Sequence, residues 1–180
     1  HIYFERFLSV FKGKLYVKDV LQKLSWHYYL QNNMEKAAYY RKLLLQKGNT
    51  VAEADKQAQK EAATERWPHK VLLRARLLND GGYFRDALRL LHGKTVQDFP
   101  LTEEKLEFAY RAGRVYDDLG MDNQAIAFYK QAISLGEKRK EYFAARAALQ
   151  IGVIYEQQGN CTAAITWFQR CLGMNEHDYK

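Results

Sequence analysis

Residues 112–132 read AGRVYDDLGMDNQAIAFYKQA, and residues 151–171 read IGVIYEQQGNCTAAITWFQRC. The second stretch repeats the first after 39 positions, with small residues matching small residues and aromatic residues matching aromatic residues. In the first copy the small positions are Gly113, Gly120, Ala125 and Ala132, and the aromatic positions are Tyr116 and Tyr129. An internal repeat of this length predicts two similar structural units that follow each other along the chain.

Two earlier stretches carry the same pattern with weaker matches. The nearer one lies 38 positions before the first copy, at Ala75, Leu78, Gly82, Ala87 and Leu91. The farther one begins 50 residues before that, at Ser25, Tyr28, Asn32, Ala37 and Leu44. We therefore expect four repeat units at unequal intervals, with the longest interval between the first two.

Each unit alternates small and large side chains in the order that a helical hairpin needs. Gly113 and Tyr116 lie on one face of a first helix, and Gly120 ends that helix because glycine readily adopts the left-handed conformation. Ala125 then lies on a second helix, where its small size lets the two helices approach closely. Tyr129, one turn later, fills the space beside it. The pattern predicts antiparallel helix pairs and shows no sign of strands.

These residues resemble the motif of the tetratricopeptide repeat family, whose units contain about 34 residues. The resemblance covers roughly residues 18–174, although the family's proline near the end of a unit is absent and Glu137 stands there. It implies an all-α fold, an α–α superhelix of stacked antiparallel helix pairs. It also implies a non-catalytic protein-binding scaffold, but it does not identify the ligand.

The predicted organisation is a single solenoid over residues 1–180. Helix pairs are expected at about 18–48, 68–94, 103–136 and 140–174, with an extra linking helix at about 51–66. The linking segment is rich in Ala, Glu, Lys and Gln and has almost no large apolar side chain, so we expect a solvated helix there. The chain begins at His1 without a methionine, which indicates a fragment of a longer protein or a processed product.

Composition and charge exclude several classes of protein. A hydrophobic content of 47% argues against disorder, and no apolar run approaches the length of a membrane span. The net charge is +7, of which residues 1–66 contribute most, because they hold 12 Lys and Arg against 7 Asp and Glu. The part with the clearest repeats is thus nearly neutral.

No catalytic, cofactor or metal site is predicted. Gly93-Lys94-Thr95 lacks the earlier glycine and the strand that a phosphate-binding loop needs, and the five histidines show no metal-ligand spacing. Cys161 and Cys171 are about 15 Å apart on one predicted helix, too far for a disulfide. Two reduced thiols favour the cytoplasm, but an exported or periplasmic location stays open because a targeting sequence would be lost with the native N-terminus.

A binding surface is expected where the first helices of stacked hairpins line the concave side. The predicted ligand-binding residues are Arg76, Tyr110, Arg111, Arg114, Arg146 and Gln150. Arginine forks bind carboxylates in a bidentate manner, so an acidic or C-terminal peptide segment would fit. The alternative is that the arginines pair with carboxylates on the same helices, namely Glu107, Asp117, Asp118 and Glu156.

Other kinds of partner are less favoured than a peptide. Nucleic acid is less favoured, although Lys12, Lys14, Lys18 and Lys23 could contact phosphates beside Phe11 and Tyr16. An enzyme has the least support. Residues 175–180 are too few for a helix that would shield the last hairpin, so Ile165, Phe168 and Leu172 are expected to pack against another copy or against sequence that is missing.

Overall fold

The structure of this chain is a computed structural model that describes residues 1–64 and 66–174. Within these ranges it contains α-helices, one short 3-10 helix (Val96–Asp98) and no strand. The helices are α1 (Ile2–Val10), α2 (Val17–Leu30), α3 (Met34–Gln46), α4 (Glu53–Ala63), α5 (Lys70–Asp80), α6 (Phe84–Leu91), α7 (Thr102–Asp118), α8 (Asp122–Gly136), α9 (Phe143–Gln157) and α10 (Cys161–Gly173). The predicted all-α fold is confirmed.

The chain folds into two compact units, residues 1–67 and residues 68–180. In the first unit α2 and α3 form a hairpin, and α4 packs against both of them. Its apolar core is formed by Leu21 of α2, Leu44 of α3, and Ala58 and Ala62 of α4. Helix α1 contacts α2, and Leu8 packs partly buried against this core, but no side chain of α1 is fully buried.

Helix α4 is less solvated than its composition suggested. Asp55, Ala58 and Ala62 are buried on one side of the helix, at i, i+3 and i+7 spacing, whereas Lys56 and Lys60 on the other side are exposed. Alanine can bury its whole side chain without any large apolar residue being present. The expectation of a solvated helix was therefore wrong for this face.

The second unit consists of three hairpins, α5–α6, α7–α8 and α9–α10. Helix α7 also contacts α5 and α9, so the first helices of the three hairpins lie side by side. Helix α8 packs against α9 of the next hairpin. This arrangement is typical of a helical-repeat superhelix, in which each hairpin covers the apolar face of the one before it.

The alternation of small and large residues determines how closely the helices of a hairpin approach. A Cβ atom at Gly113 would lie 2.5 Å from the ring of Tyr129, and a Cβ atom at Gly152 would overlap the ring of Phe168 in the same way. Ala125 on α8 and Ala164 on α10 are both buried. The small positions of the repeat therefore lie in helix–helix contacts, as predicted.

The turns within the last two hairpins depend on a residue in the left-handed region. Gly120 and Gly159 have φ values of 70° and 75°. Each is followed by a residue whose backbone N–H donates to a carbonyl five residues earlier, from Met121 to Tyr116 and from Asn160 to Tyr155, both at 2.9 Å. This is the hydrogen bond of a Schellman cap, which explains why the repeat requires glycine there.

Candidate functional site

The first helices of the three hairpins in the second unit are α5, α7 and α9. Each carries polar side chains on the part of its surface that does not face the apolar core. We call this the first-helix face. It comprises Arg76, Asn79 and Asp80 on α5, Glu107, Arg114, Asp117 and Asp118 on α7, and Arg146 and Gln150 on α9. Four of the six predicted ligand-binding residues lie on this face, and Tyr110 and Arg111 do not.

Tyr110 and Arg111 are buried between α7 and α9. The ring centroid of Tyr110 lies 5.2 Å from that of Phe143, and Tyr110 belongs to the apolar core. Arg111 is only 6% exposed, and its guanidinium carbon lies 5.5 Å from the Phe143 ring. Both residues therefore join the two helices, and the structure offers neither side chain to a ligand at the surface.

A buried arginine needs a carboxylate partner, and Glu107 supplies it. The Nε of Arg111 donates to Oε1 of Glu107 at 3.1 Å, one helical turn away. Burial acts to lower the pKa of Arg111, but Glu107, together with the nearby Tyr142 and Tyr110, leaves it above its usual value. The ion pair keeps the guanidinium charged inside the unit and explains why Arg111 is tolerated there.

Asp118 connects α5 with α7. Its Oδ2 accepts a hydrogen bond of 2.7 Å from Nδ2 of Asn79 and lies 3.4 Å from Nη2 of Arg114. Asn79 is buried, and its Oδ1 has no hydrogen-bond partner within the described chain. Arg114 thus has part of its hydrogen-bonding capacity committed to its own helix, as the alternative from the sequence anticipated.

Asp117 connects its own helix, α7, with α8 and α9. Its Oδ2 accepts a hydrogen bond of 2.9 Å from the Tyr129 hydroxyl on α8 and a longer one of 3.4 Å from Gln150 Nε2 on α9. Burial raises the pKa of the Asp117 carboxyl, and burial and Asp117 together raise the pKa of the Tyr129 hydroxyl. Gln150 is held in position by this bond, which leaves its amide oxygen as the group that a ligand could contact.

Arg146 differs from the other arginines of the face. It is exposed, and no Asp or Glu oxygen of the described residues lies within 4.0 Å of its guanidinium. Its guanidinium carbon lies 5.9 Å from the ring centroid of Tyr142, four residues earlier. Arg76 is half-buried, with its Nε 3.8 Å from Oδ2 of Asp80. Arg146 is therefore the cation of this face that is most available to a ligand.

Tyr142 is a residue of the site that was not predicted from the sequence. The signal was present, because an aromatic residue four positions before an arginine lies next to it on a helix surface. An aromatic ring beneath a guanidinium restrains it by cation–π attraction. Among residues 1–64 and 66–174 no group of three His, Cys, Asp or Glu side chains is arranged to hold a metal ion.

The basic N-terminal third presents fewer free lysines than its sequence suggests. Lys12 and Lys14 are exposed, but Lys18 is buried and its Nζ donates to the Leu44 carbonyl at 2.7 Å. Burial lowers the pKa of Lys18, although Asp55 opposes the shift. Lys23 pairs with Asp19 at 3.0 Å. Only two of the four lysines proposed for phosphate contact are thus directed to solvent.

The last hairpin exposes apolar side chains on α10. Ile165 and Leu172 are exposed, whereas Phe168 is half-buried because its ring packs over Gly152. Residues 175–180, on which the prediction of an unshielded last hairpin partly depends, lie outside the described residues. The structure also exposes Leu149 of α9, which the sequence analysis did not single out.

Comparison with protein families supplies the identification. The family model of the tetratricopeptide repeat matches residues 106–139 and residues 145–178. These two stretches are tetratricopeptide repeats. The matched residues correspond to the hairpins α7–α8 and α9–α10, where the repeat motif is clearest. No curated protein and no solved structure matches the chain.

Tetratricopeptide repeats generally mediate protein–protein interactions and generally act as non-catalytic scaffolds. These repeats suggest that the partner of the chain is another protein. Among the described residues, no helix combines the length and the apolar character that crossing a membrane requires.

Proposed function

We propose that this chain is a non-catalytic scaffold whose first-helix face binds a peptide or protein segment that carries a carboxylate. The observation that carries the proposal is Arg146, an exposed arginine that has no acidic partner among residues 1–64 and 66–174, on a face where the neighbouring arginines are paired. A carboxylate ligand would give it the bidentate partner that no Asp or Glu of the described residues provides.

The side chains around Arg146 favour a defined binding site over a single charge on a mobile side chain. The Tyr142 ring restrains the guanidinium on one side. Gln150 lies one turn further along α9, held by Asp117, and can bond to a peptide backbone. Side chains that are already ordered lose less conformational entropy when a ligand binds, which increases affinity.

Arg76 and Arg114 are proposed as secondary contacts at the α5 and α7 side of the face. Arg76 lies 3.8 Å from Asp80, and exposed or half-exposed pairs of this kind contribute at most about 1 kcal/mol, so a ligand carboxylate can compete for the arginine. Acidic residues of a ligand would then bind at one end of the face and a terminal carboxylate at the other. Tyr110 and Arg111 are positioning residues in this proposal and do not touch the ligand.

The test uses a library of short soluble peptides, each made with a free C-terminal carboxylate and as the C-terminal amide. Binding to the complete chain is measured for the wild type, for Arg146→Glu and for the matched control Arg85→Glu, which reverses an exposed charge on the second helix α6. Peptides that bind the wild type and the control should bind Arg146→Glu at least about tenfold more weakly, which corresponds to the loss of one charged hydrogen-bonded contact.

Two results would overturn the proposal. Peptides that bind all three proteins equally would show that the first-helix face is not the site. Peptides whose affinity does not depend on acidic residues or on a free C-terminal carboxylate would show that the ligand chemistry is wrong. Circular dichroism of the variants must match that of the wild type, so that a loss of binding reports on the surface.

A further inference from the structure

Two turns of the first unit meet beside the start of α2. One connects α1 with α2 through residues 11–16, and the other follows α3 through residues 47–51. The backbone N–H of Asn49 donates to the Lys14 carbonyl at 3.3 Å. Gly48, whose φ is 78°, lies so close that a Cβ atom there would be 3.3 Å from the same carbonyl oxygen. The two turns therefore form one continuous surface.

This surface combines exposed lysines with exposed apolar side chains. Leu15, Tyr16 and Val51 are 41%, 56% and 80% exposed, and three lysines in the same turns are exposed as well. Exposed apolar side chains that cluster within a polar rim mark an interaction surface. We call this surface the basic turn patch, and it comprises Lys12, Lys14, Leu15, Tyr16, Lys47 and Val51.

The positive charge of the patch is not neutralised locally. Among the described residues, no carboxylate oxygen lies within 4.0 Å of any of its three lysines. The acidic residues that follow the two turns are already engaged, because Asp19 pairs with Lys23 at 3.0 Å and the carboxylate of Glu53 lies 3.8 Å from Lys56. Asp55 is fully buried and accepts backbone hydrogen bonds. The patch therefore favours a partner with negative charge.

The turn that carries the apolar side chains has a fixed and unusual conformation. Tyr16 has a φ of 61°, in the left-handed region that bulky residues rarely adopt. Its backbone N–H donates to the carboxylate of Asp55, which holds the turn in place. A glycine or an asparagine would adopt this conformation with less strain. A tyrosine that is kept there with its side chain largely in water indicates a role for the exposed ring.

The patch lies away from both chain ends of the first unit. The ring of His1 stacks on that of His27 with the centroids 4.6 Å apart, and the ring of Trp67 stacks on that of Tyr29 at 4.8 Å. His27 and Tyr29 belong to the last turn of α2, whereas the patch adjoins its first turn, about 20 Å away along the helix axis. Neither end of the unit is thus placed beside the patch.

We propose that the basic turn patch binds the surface of a membrane that contains anionic phospholipids. The three lysines contact the lipid headgroups, and the three apolar side chains enter the boundary between headgroups and acyl chains. Tyr16 suits this depth, because its ring is apolar and its hydroxyl can stay hydrated.

Two other anionic partners fit the patch less well. Proteins that bind single-stranded nucleic acid stack its bases on aromatic rings, whereas Leu15 and Val51 are aliphatic. Protein interfaces are depleted in lysine and enriched in arginine, whereas every cation of the patch is a lysine. An anionic membrane makes use of both the lysines and the aliphatic side chains.

Sedimentation with vesicles tests the proposal on the complete chain. The vesicles consist of phosphatidylcholine alone or with about 40% phosphatidylserine, in about 0.1 M salt. The patch variants are Val51→Ser and the double variant Lys12→Gln with Lys14→Gln. The matched control is Lys94→Gln with Lys130→Gln, which removes the same charge from exposed lysines of the second unit. Circular dichroism of all variants must match that of the wild type.

The wild type and the control are expected to bind the anionic vesicles alike and the neutral vesicles much more weakly. The double variant of Lys12 and Lys14 should bind the anionic vesicles about 25-fold more weakly, because each lysine near such a surface contributes about fivefold. Val51→Ser should bind at least about threefold more weakly, because less apolar surface enters the membrane.

Three results would overturn the proposal. One is no binding of the wild type to anionic vesicles at about 5 mM lipid, where an affinity of 1 mM would already give nearly complete binding. The others are equal binding by the patch lysine variant and the control, or by Val51→Ser and the wild type. A labelled oligonucleotide is the second probe, and lysine-dependent binding to it without vesicle binding would assign the patch to nucleic acid.

This proposal does not depend on the first-helix face. Arg146→Glu lies in the second unit and should bind the anionic vesicles no more strongly than the wild type by more than the small effect of its changed charge. Loss of peptide binding in Arg146→Glu and loss of vesicle binding in the patch variants are therefore separate outcomes, and either proposal can fail alone.

Discussion

Two glycines within helices, Gly113 and Gly152, explain at the scale of single residues how the hairpins close. Each leaves room for the aromatic ring of the partner helix, Tyr129 or Phe168. A glycine inside a helix costs about 1 kcal/mol relative to alanine. That cost is offset because the aromatic ring of the partner helix packs into the space where a side chain would lie. An alanine in place of the glycine would prevent this contact.

A second residue-scale feature is the pair of tyrosine hydroxyls that donate to one carboxylate in the first unit. The hydroxyls of Tyr28 and Tyr40 lie 3.1 and 3.2 Å from Oε1 of Glu5, and the two rings stack with their centroids 5.5 Å apart. Burial, with a contribution from Glu5, raises the pKa of Tyr40 from 10.0 to about 12.

Alkaline titration tests this feature. A folded-state pKa above the unfolded value means that the contribution of Tyr40 to stability is complete below pH 10 and is lost as the pH rises towards 12. The free energy of unfolding, measured in urea between these pH values, should fall more steeply for the wild type than for Tyr40→Phe. Glu5→Gln should also reduce the slope, because it removes the charge that opposes tyrosinate. Equal slopes for all three proteins would contradict the assignment.

The burial of Tyr110 and Arg111 shows where the sequence was informative about single residues and where it was not. The small and aromatic positions could be predicted because every repeat imposes the same steric requirement on them. The surroundings of Arg111 could not, because they depend on Phe143 of the next hairpin, which approaches only when the hairpins stack. The i, i+4 spacing of Glu107 and Arg111 did indicate their ion pair.

At the scale of elements, α4 packs against both helices of the first hairpin, α2 and α3, and covers their apolar side. Asp55 accepts hydrogen bonds from the backbone N–H groups of Tyr16 and Asp19, and so caps α2 from another helix. Arg41 of α3 donates to the Ala62 carbonyl at 2.8 Å. The side chain of α2's own N-cap residue makes no capping bond, which leaves this role to Asp55.

Replacing Asp55 with alanine is expected to destabilise the first unit by about 1–2 kcal/mol, because two backbone N–H groups at the start of α2 lose the carboxylate that caps them. Chemical denaturation followed by circular dichroism measures the change. The matched control is Glu35→Ala, in the exposed first turn of α3, which should change the free energy of unfolding by no more than about 0.5 kcal/mol. Similar values for the two variants would show that the cap contributes little.

The sequence indicated that α4 is a helix but not that it packs. Its alanines were interpreted by helix propensity alone, because nothing in a single sequence distinguishes a solvated alanine from one buried against another helix. Nothing in the sequence singled out Asp55 either. The acceptor role depends on α2 beginning beside it, a tertiary contact between residues 36 and 39 positions apart.

At the scale of the whole molecule, the chain divides into two compact units where the sequence predicted one solenoid. The 50-residue interval between the first two repeats contains α4, and the division follows it. The single solenoid stays a prediction, and it differs from two separate units in a measurable way. A continuous stack would transmit a local loss of stability from hairpin to hairpin.

Hydrogen exchange of Asp55→Ala, followed by mass spectrometry, distinguishes the two organisations. If the units are independent, amide exchange should become faster in α2, α3 and α4 and stay unchanged from α5 to α10. Faster exchange throughout the second unit would instead support one cooperative solenoid. Glu35→Ala serves again as the control and should leave both patterns as in the wild type.

Alternating small and large side chains build these hairpins, and a double-mutant cycle on Gly152 and Phe168 measures the contact on which the last hairpin depends. In the wild type, Gly152→Ala is expected to destabilise the chain by about 1–3 kcal/mol, because the new methyl group meets the Phe168 ring. In a Phe168→Ala background the same change should be neutral, or stabilising by up to about 1 kcal/mol through helix propensity. The same loss of stability in both backgrounds would contradict the account.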